Sequence, residues 1–141
     1  LPDDELMRAA KSGHLAHPDA IRAQAERMAK HERAWFKQRD FFLQWLKIDA
    51  APDLAKDTKR FPDWSPQVAS DLRTSLELTF QSIARSDKAD FRDLLQSSKM
   101  FVNGRLAKLY NAPGAPASLS EFAPVELDPQ ARAGILTHPY L

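Results

Sequence analysis

Outside a loop over residues 49–65, apolar residues in the first 111 positions recur at three- and four-residue steps, the spacing of one helical face. The densest stretch runs from Trp35 to Ile48 and holds five of the thirteen aromatic residues. At 100° per residue, Phe41, Trp45 and Ile48 form one stripe, and Trp35, Phe42 and Leu46 form another beside it. A helix apolar over most of its circumference belongs inside a bundle, so residues 35–48 are expected to be a central helix with Trp45 buried.

The other helices are marked by their ends. Asp3, Asp4 and Glu5 complement the N-terminal dipole of a first helix that Gly13 stops, with Leu6, Ala9 and Ala10 facing inward. Pro18 suits the first position of a second, whose stripe is Ile21, Ala25, Met28 and Ala29, with Glu26 and Lys30 spaced to pair. The apolar phase then shifts at His31–Glu32, through a kink or a short break. Residues 49–65 read as a loop that Phe61 and Trp64 pin to the core. Ser65 as N-cap and Pro66 after it open the cleanest helix, with Val68, Leu72, Leu76, Thr79, Phe80 and Ile83 on one face. Asp87 is expected to cap a short helix bearing Phe91, Leu94 and Leu95. Asn103 caps another, bearing Leu106, Leu109 and Tyr110 and stopped at Asn111.

The last thirty residues differ. Four of the ten prolines and Gly114 fall within 111–129, which makes the tail extended. Phe122–Leu127 and Ile135–Thr137 are the segments there able to pair as a short ribbon. The expected fold is all-α: about six helices bundled around residues 35–48, with 1–111 as a helical domain and 112–141 as a Pro-rich extended tail.

Composition narrows the chemistry. A chain of 141 residues is one domain's worth, able to bury roughly 68% of its unfolded surface. Its 43% apolar and 28% charged residues are those of an ordinary globule. A net charge of +1 supplies no field for nucleic acid or another polyanion. The lack of cysteine removes disulfides, thiolate metal sites, cysteine nucleophiles and covalent c-type haem attachment together. No apolar run approaches the ~18 residues of a membrane span, and no signal peptide opens the sequence. Leu1 stands first rather than Met, so an excised or processed segment is expected.

Candidate chemistry is sparse. His14 and His17, with Asp19 nearby, lack a third convergent ligand, and His31 and His138 are isolated, so no metal or other cofactor is expected in this segment. Asp40 and Glu77 are the carboxylates placed for partial burial; facing each other they would serve as acid and base. Ion pairing with Arg39, Arg73 or Arg105 is the competing reading. Gln44, between Leu43 and Trp45, reads as a buried amide bonded to loop backbone. Asp40, Gln44, Glu77 and Asn103 are thus the polar core or pocket candidates, and no catalytic residue is assigned. Ser97 and Ser98 lack a nucleophile elbow, and the four glycines form no phosphate-cradling cluster. The aromatic cluster at 35–45 would suit a haem or quinone pocket, but its spacing is equally that of ordinary core.

Several phrases stand in a fixed order: Pro2-Asp3-Asp4-Glu5-Leu6, Phe42-Leu43-Gln44-Trp45-Leu46, Phe61-Pro62, Glu77 with Phe80, and Leu94-Leu95. Phe101-Val102-Asn103 follows with Leu106-Ala107 and Tyr110, then Arg132-Ala133-Gly134-Ile135-Leu136-Thr137. Together they resemble the domains of unknown function found in large exported proteins of planctomycetes and myxobacteria. Those proteins often carry or accompany a planctomycete-type cytochrome c domain. The resemblance spans essentially the whole chain and implies helical sequence upstream, with the next module opening at Arg132–Leu141. It also implies a periplasmic or extracytoplasmic location. The implied partners are neighbouring domains of the same polypeptide, a c-type cytochrome domain among them, and haem would sit on that separate domain. Two positions depart from the pattern: Gly104 replaces a polar or charged residue, and Asn111 stands where glycine is common. Gly104 should weaken the first turn of its helix by up to ~1 kcal/mol.

The functional reading is a non-catalytic structural or interaction module of a larger exported multidomain protein, linked to cytochrome c redox chemistry. Two alternatives stand beside it: part of an oxidoreductase whose active site is shared with neighbouring domains, and a glycan or small-ligand module using exposed Trp35 or Trp64. A bundle missing a neighbouring helix leaves an apolar groove. The tail, with Phe122, Val125, Leu127, Ile135, Leu136 and Tyr140, is expected to cover it in preference to self-association.

Overall fold

A computed structural model describes residues 2–48, 56–57, 59–86 and 88–141. In chain order these form α1 (Asp4–Lys11), α2 (Pro18–Ala29), α3 (Glu32–Trp45), α4 (Pro66–Ala84), α5 (Phe91–Gln96), β1 (Lys99–Val102), α6 (Gly104–Tyr110) and β2 (Ala123–Glu126). Single 3-10 turns lie at His14–Ala16 and Ile135–Thr137. The described chain is therefore mostly helical, with one small sheet that the helical periodicity did not announce. It divides into two units, Leu1–Phe41 and Phe42–Leu141, and α3 begins in the first and ends in the second.

In the first unit Asp3 serves two purposes. Its Oδ1 accepts the Leu6 N–H at 2.9 Å, capping α1, and both its oxygens take the Arg27 guanidinium, at 2.7 and 2.9 Å. Arg27 Nε also lies 3.1 Å from a Glu5 oxygen. The guanidinium first, and the Leu6 N–H second, hold the Asp3 carboxyl far below the usual carboxylate range. Arg27 thus ties α2 to the start of α1, in place of the Glu26–Lys30 pair expected from spacing. The α2 stripe is not a buried face: Ile21 is exposed and no residue of the helix is fully buried. Gly13 stops α1 with a positive φ of 75°, and the phase shift at His31 is a short break, since α2 ends at Ala29 and α3 begins at Glu32.

The second unit is organised around α4. Ser65 Oγ accepts the Val68 N–H at 3.2 Å and Pro66 follows as the first helical residue, as the sequence reads. Val68, Leu72, Leu76 and Phe80 are buried along one face, and α4 takes β1, α5 and α6 as neighbours. β1 pairs antiparallel with β2 in the register Met100↔Val125 and Phe101↔Pro124. The Leu127 N–H donates to the Ser98 carbonyl at 3.0 Å and continues that ladder. Alternation from there makes Phe101↔Pro124 a non-hydrogen-bonded pair, where a proline costs the sheet nothing. The Phe101 N–H and C=O then point away from β2, and α4 meets both. Thr79 Oγ1 accepts the N–H at 3.3 Å, and Ser75 Oγ donates to the C=O.

Two sequence expectations are corrected here. Residues 35–48 are not a central buried helix: Trp45 is 48% exposed and Phe41 61%, although Leu43 and Ile48 are buried. The helix starts at Glu32, and Arg33, Lys37, Gln38, Arg39 and Asp40 interrupt its apolar faces, so the stripes never meet around it. The ribbon also has a different partner, since β2 pairs with Lys99–Val102 while Ile135–Thr137 is a turn. Val125, Ile135 and Tyr140 of the tail are buried in this unit, whereas Leu136 is exposed. The N-cap of α5 is Asp90, whose side chain accepts the Arg92 N–H; Asp87 lies outside the described residues.

Candidate functional site

A serine–histidine pair sits at the centre of the second unit. Ser75 on α4 and His138 after the last turn are 63 positions apart in sequence, and Ser75 Oγ lies 3.2 Å from His138 Nε2. Both residues are buried. The Tyr140 N–H donates to His138 Nδ1 at 3.3 Å, so Nδ1 carries no proton. Burial first, and the nearby Arg132 charge second, push the imidazole pKa down to about 4, so the ring is neutral and its single proton is on Nε2. Nε2–H therefore donates to Ser75 Oγ, and the serine hydroxyl donates in turn to the Phe101 carbonyl. A serine nucleophile needs the opposite polarity, with the imidazole nitrogen accepting from the hydroxyl. The cavity beside His138 measures about 30 Å³, space for about one water, so an acyl substrate has no room there. This pair fastens the tail to α4 and β1. The sequence held half of the signal: position 75 falls in the Leu72–Leu76–Thr79 stripe, where a hydroxyl must find a backbone acceptor.

A larger cavity of about 390 Å³ opens elsewhere in the same unit. Leu72 of α4, Leu109 and Tyr110 at the end of α6, Lys56 and residues 60–64, and Arg132 and Pro139 of the tail line it. Asp57 shapes the first segment by accepting the Lys59 N–H on its side chain, while its carbonyl takes the Arg60 and Phe61 N–H groups. The Lys56 ammonium lies 4.8 Å from the Trp64 ring centroid and 5.2 Å from that of Phe61. Arg132 lies 4.8 Å from the centre of the Tyr110 ring and donates to the Thr137 carbonyl at 3.2 Å. Burial pushes the Tyr110 phenol up to about 12, so it keeps its proton at neutral pH.

The four residues singled out from sequence each have a separate local setting. Asp40 lies in the first unit, 3.9 Å from Arg39. Glu77 accepts from Arg73 at 3.2 Å, the ordinary i,i+4 pair. Gln44 is exposed, which corrects its reading as a buried amide. Asn103 is fully buried, but as a structural cap: Oδ1 accepts the Arg105 and Leu106 N–H groups and Nδ2 donates to the Leu119 carbonyl at 2.7 Å. None of the four lines either cavity. Trp35 is buried at 9% exposure and offers no aromatic shelf, while Trp64 is half-buried with Lys56 over its face. Among the described residues, no three His, Cys, Asp or Glu side chains converge as metal ligands, and no helix is long and apolar enough to cross a membrane.

Residues 1–112 match the family described as PSD4, protein of unknown function (DUF1592), and the chain belongs to that family. No curated protein and no solved structure matches it. The matched residues hold α1 to α6 and β1, while β2, Arg132 and His138 lie beyond them.

Proposed function

We propose that this chain is a non-catalytic structural or interaction module of a larger exported multidomain protein, and that its partners are neighbouring domains of the same polypeptide. One observation carries the reading: Trp45 and Phe91, with ring centroids 6.3 Å apart, both stand about half exposed. Leu95, one turn further along α5, is exposed as well. Half-exposed aromatics clustered on a surface are the anchors that contact surfaces use. The resemblance to exported cytochrome-associated proteins supports an extracytoplasmic setting and a c-type cytochrome domain among the neighbours. The test places the photo-crosslinker p-benzoylphenylalanine at position 91 in the full-length protein and maps the products by peptide mass spectrometry. Cross-links to residues outside this module are expected, and a haem-bearing peptide among them would establish the cytochrome link. Cross-links confined to the module, or none, would overturn the proposal.

A further inference from the structure

We infer that the 390 Å³ cavity binds a small organic anion: one carboxylate attached to a compact ring. The inference is independent of the contact surface at Trp45 and Phe91. The volume falls within the range of about 300–1,000 Å³ typical of small-molecule pockets, and exceeds what a bare inorganic ion requires.

Charge is the first argument. Lys56, Arg60 and Arg132 line the cavity against a single carboxylate, Asp63. Arg27, Arg73, Arg92 and Arg105 each have a carboxylate partner within 3.2 Å, but no described carboxylate pairs with any of these three cations. The lining thus carries three cations against one carboxylate, on a chain whose net charge is only +1. Unpaired cations that converge on a concave site are recognition groups for an anion.

Preorganisation is the second. Two of the three cations rest on aromatic faces, Lys56 over Phe61 and Trp64, and Arg132 over Tyr110. These contacts hold the charged heads at the cavity wall and reduce the entropy lost when an anion arrives. Tyr110 lines the cavity as well, and its hydroxyl is a further donor.

The wall also selects the kind of anion. Phosphate sites are built from helix N-termini and nests of backbone N–H groups. Leu109 and Tyr110, in the last turn of α6, line the cavity, and the negative end of that helix dipole disfavours a multiply charged ligand. Leu72, Leu109 and Pro139 supply an apolar surface for the body of the ligand. A singly charged carboxylate with a ring behind it satisfies all three conditions.

Ring-borne carboxylates come from two sources, aromatic acids and acidic sugars, so benzoate and glucuronate are the probes, with benzamide and glucose as neutral counterparts. Binding is followed in the intact chain by two-dimensional NMR, on the Trp64 indole N–H. At least one acid should titrate this signal saturably, with its neutral counterpart at least tenfold weaker. Benzoate alone would identify an aromatic acid as the ligand class, and glucuronate alone an acidic sugar. Arg132 also holds the Thr137 carbonyl, so the decisive variant is the double substitution Lys56→Gln/Arg60→Gln, which leaves that contact in place. It should weaken binding at least tenfold in a chain that still unfolds cooperatively, with only the small drop in midpoint expected from losing the Lys56 cation–π contacts. The inference is wrong if neither acid saturates, if a neutral counterpart binds as tightly, if inorganic phosphate binds more tightly than both acids, or if the double variant binds like the parent.

Discussion

The proton between Ser75 and His138 belongs to the imidazole: Nε2 donates to Ser75 Oγ across 3.2 Å because Nδ1 is already taken by the Tyr140 N–H. This polarity turns a pair that resembles part of a catalytic triad into a structural fastener. Ser75 should accordingly be inert to a fluorophosphonate probe. A labelled Ser75 in peptide mass spectra would mean that the ring accepts from the hydroxyl after all.

Acid should loosen this fastener. The unfolded ring takes up a proton near pH 6.5 and the folded ring only near pH 4, so between those values the unfolded chain binds more protons. Stability therefore falls as pH drops through this window and levels off below it, a loss of about 3 kcal/mol in all from this residue. Urea melts of the parent and of His138→Gln between pH 7 and pH 5 isolate the effect from the carboxylates. The variant should be less stable at pH 7 and flatter across the window; equal slopes would show that His138 is not held neutral.

Removing the serine strands two partners. Ser75→Ala leaves the Phe101 carbonyl and His138 Nε2–H without their bonds in a buried site. A cost of about 1–3 kcal/mol is expected, mostly desolvation. The effects of Ser75→Ala and His138→Gln should add to less than their sum, as they do for residues sharing one network. Strict additivity in denaturant melts would separate the two residues.

Gly104→Ala gives the plainest contest between local and tertiary effects. Helix propensity alone favours alanine by up to ~1 kcal/mol. A Cβ at this position would lie 2.4 Å from the Ala117 carbonyl oxygen, and the Gly104 N–H donates to the Ser118 carbonyl at 2.7 Å. The crossing backbone would have to move, so a net loss of about 2–3 kcal/mol is expected. A melting temperature at or above that of the parent would show that the 117–118 segment yields without cost.

Core substitutions should rank by burial and not by side-chain size. Leu72→Ala, at a position with no exposure, should cost about 2–5 kcal/mol. Trp45→Ala, at a half-exposed position, should cost about 1–2 kcal/mol, below the 3–5 kcal/mol of a buried aromatic. The reverse order in chemical denaturation would restore residues 35–48 as the centre of the fold.

What the sequence determined by itself is local. Ser65 and Asn103 cap their helices, Gly13 and Asn111 end theirs in left-handed conformations, and the α4 face from Val68 to Phe80 is buried, all from chemistry within a few residues. Glu77 could be read as a partner for Arg73 for the same reason, since they lie four apart on one helix. The tertiary structure decided which apolar stripes are buried: α4 took β1, α5 and α6 as neighbours, while Trp45 and Phe91 stay about half exposed. It also decided that β2 pairs with β1, that Gly104 must lack a side chain, and that Ser75 meets His138 across 63 residues. Periodicity records which face of a helix is apolar but not what will cover it. A hydrogen bond between distant residues leaves no repeat in the chain, so these relationships exist only once the backbone has brought the segments together.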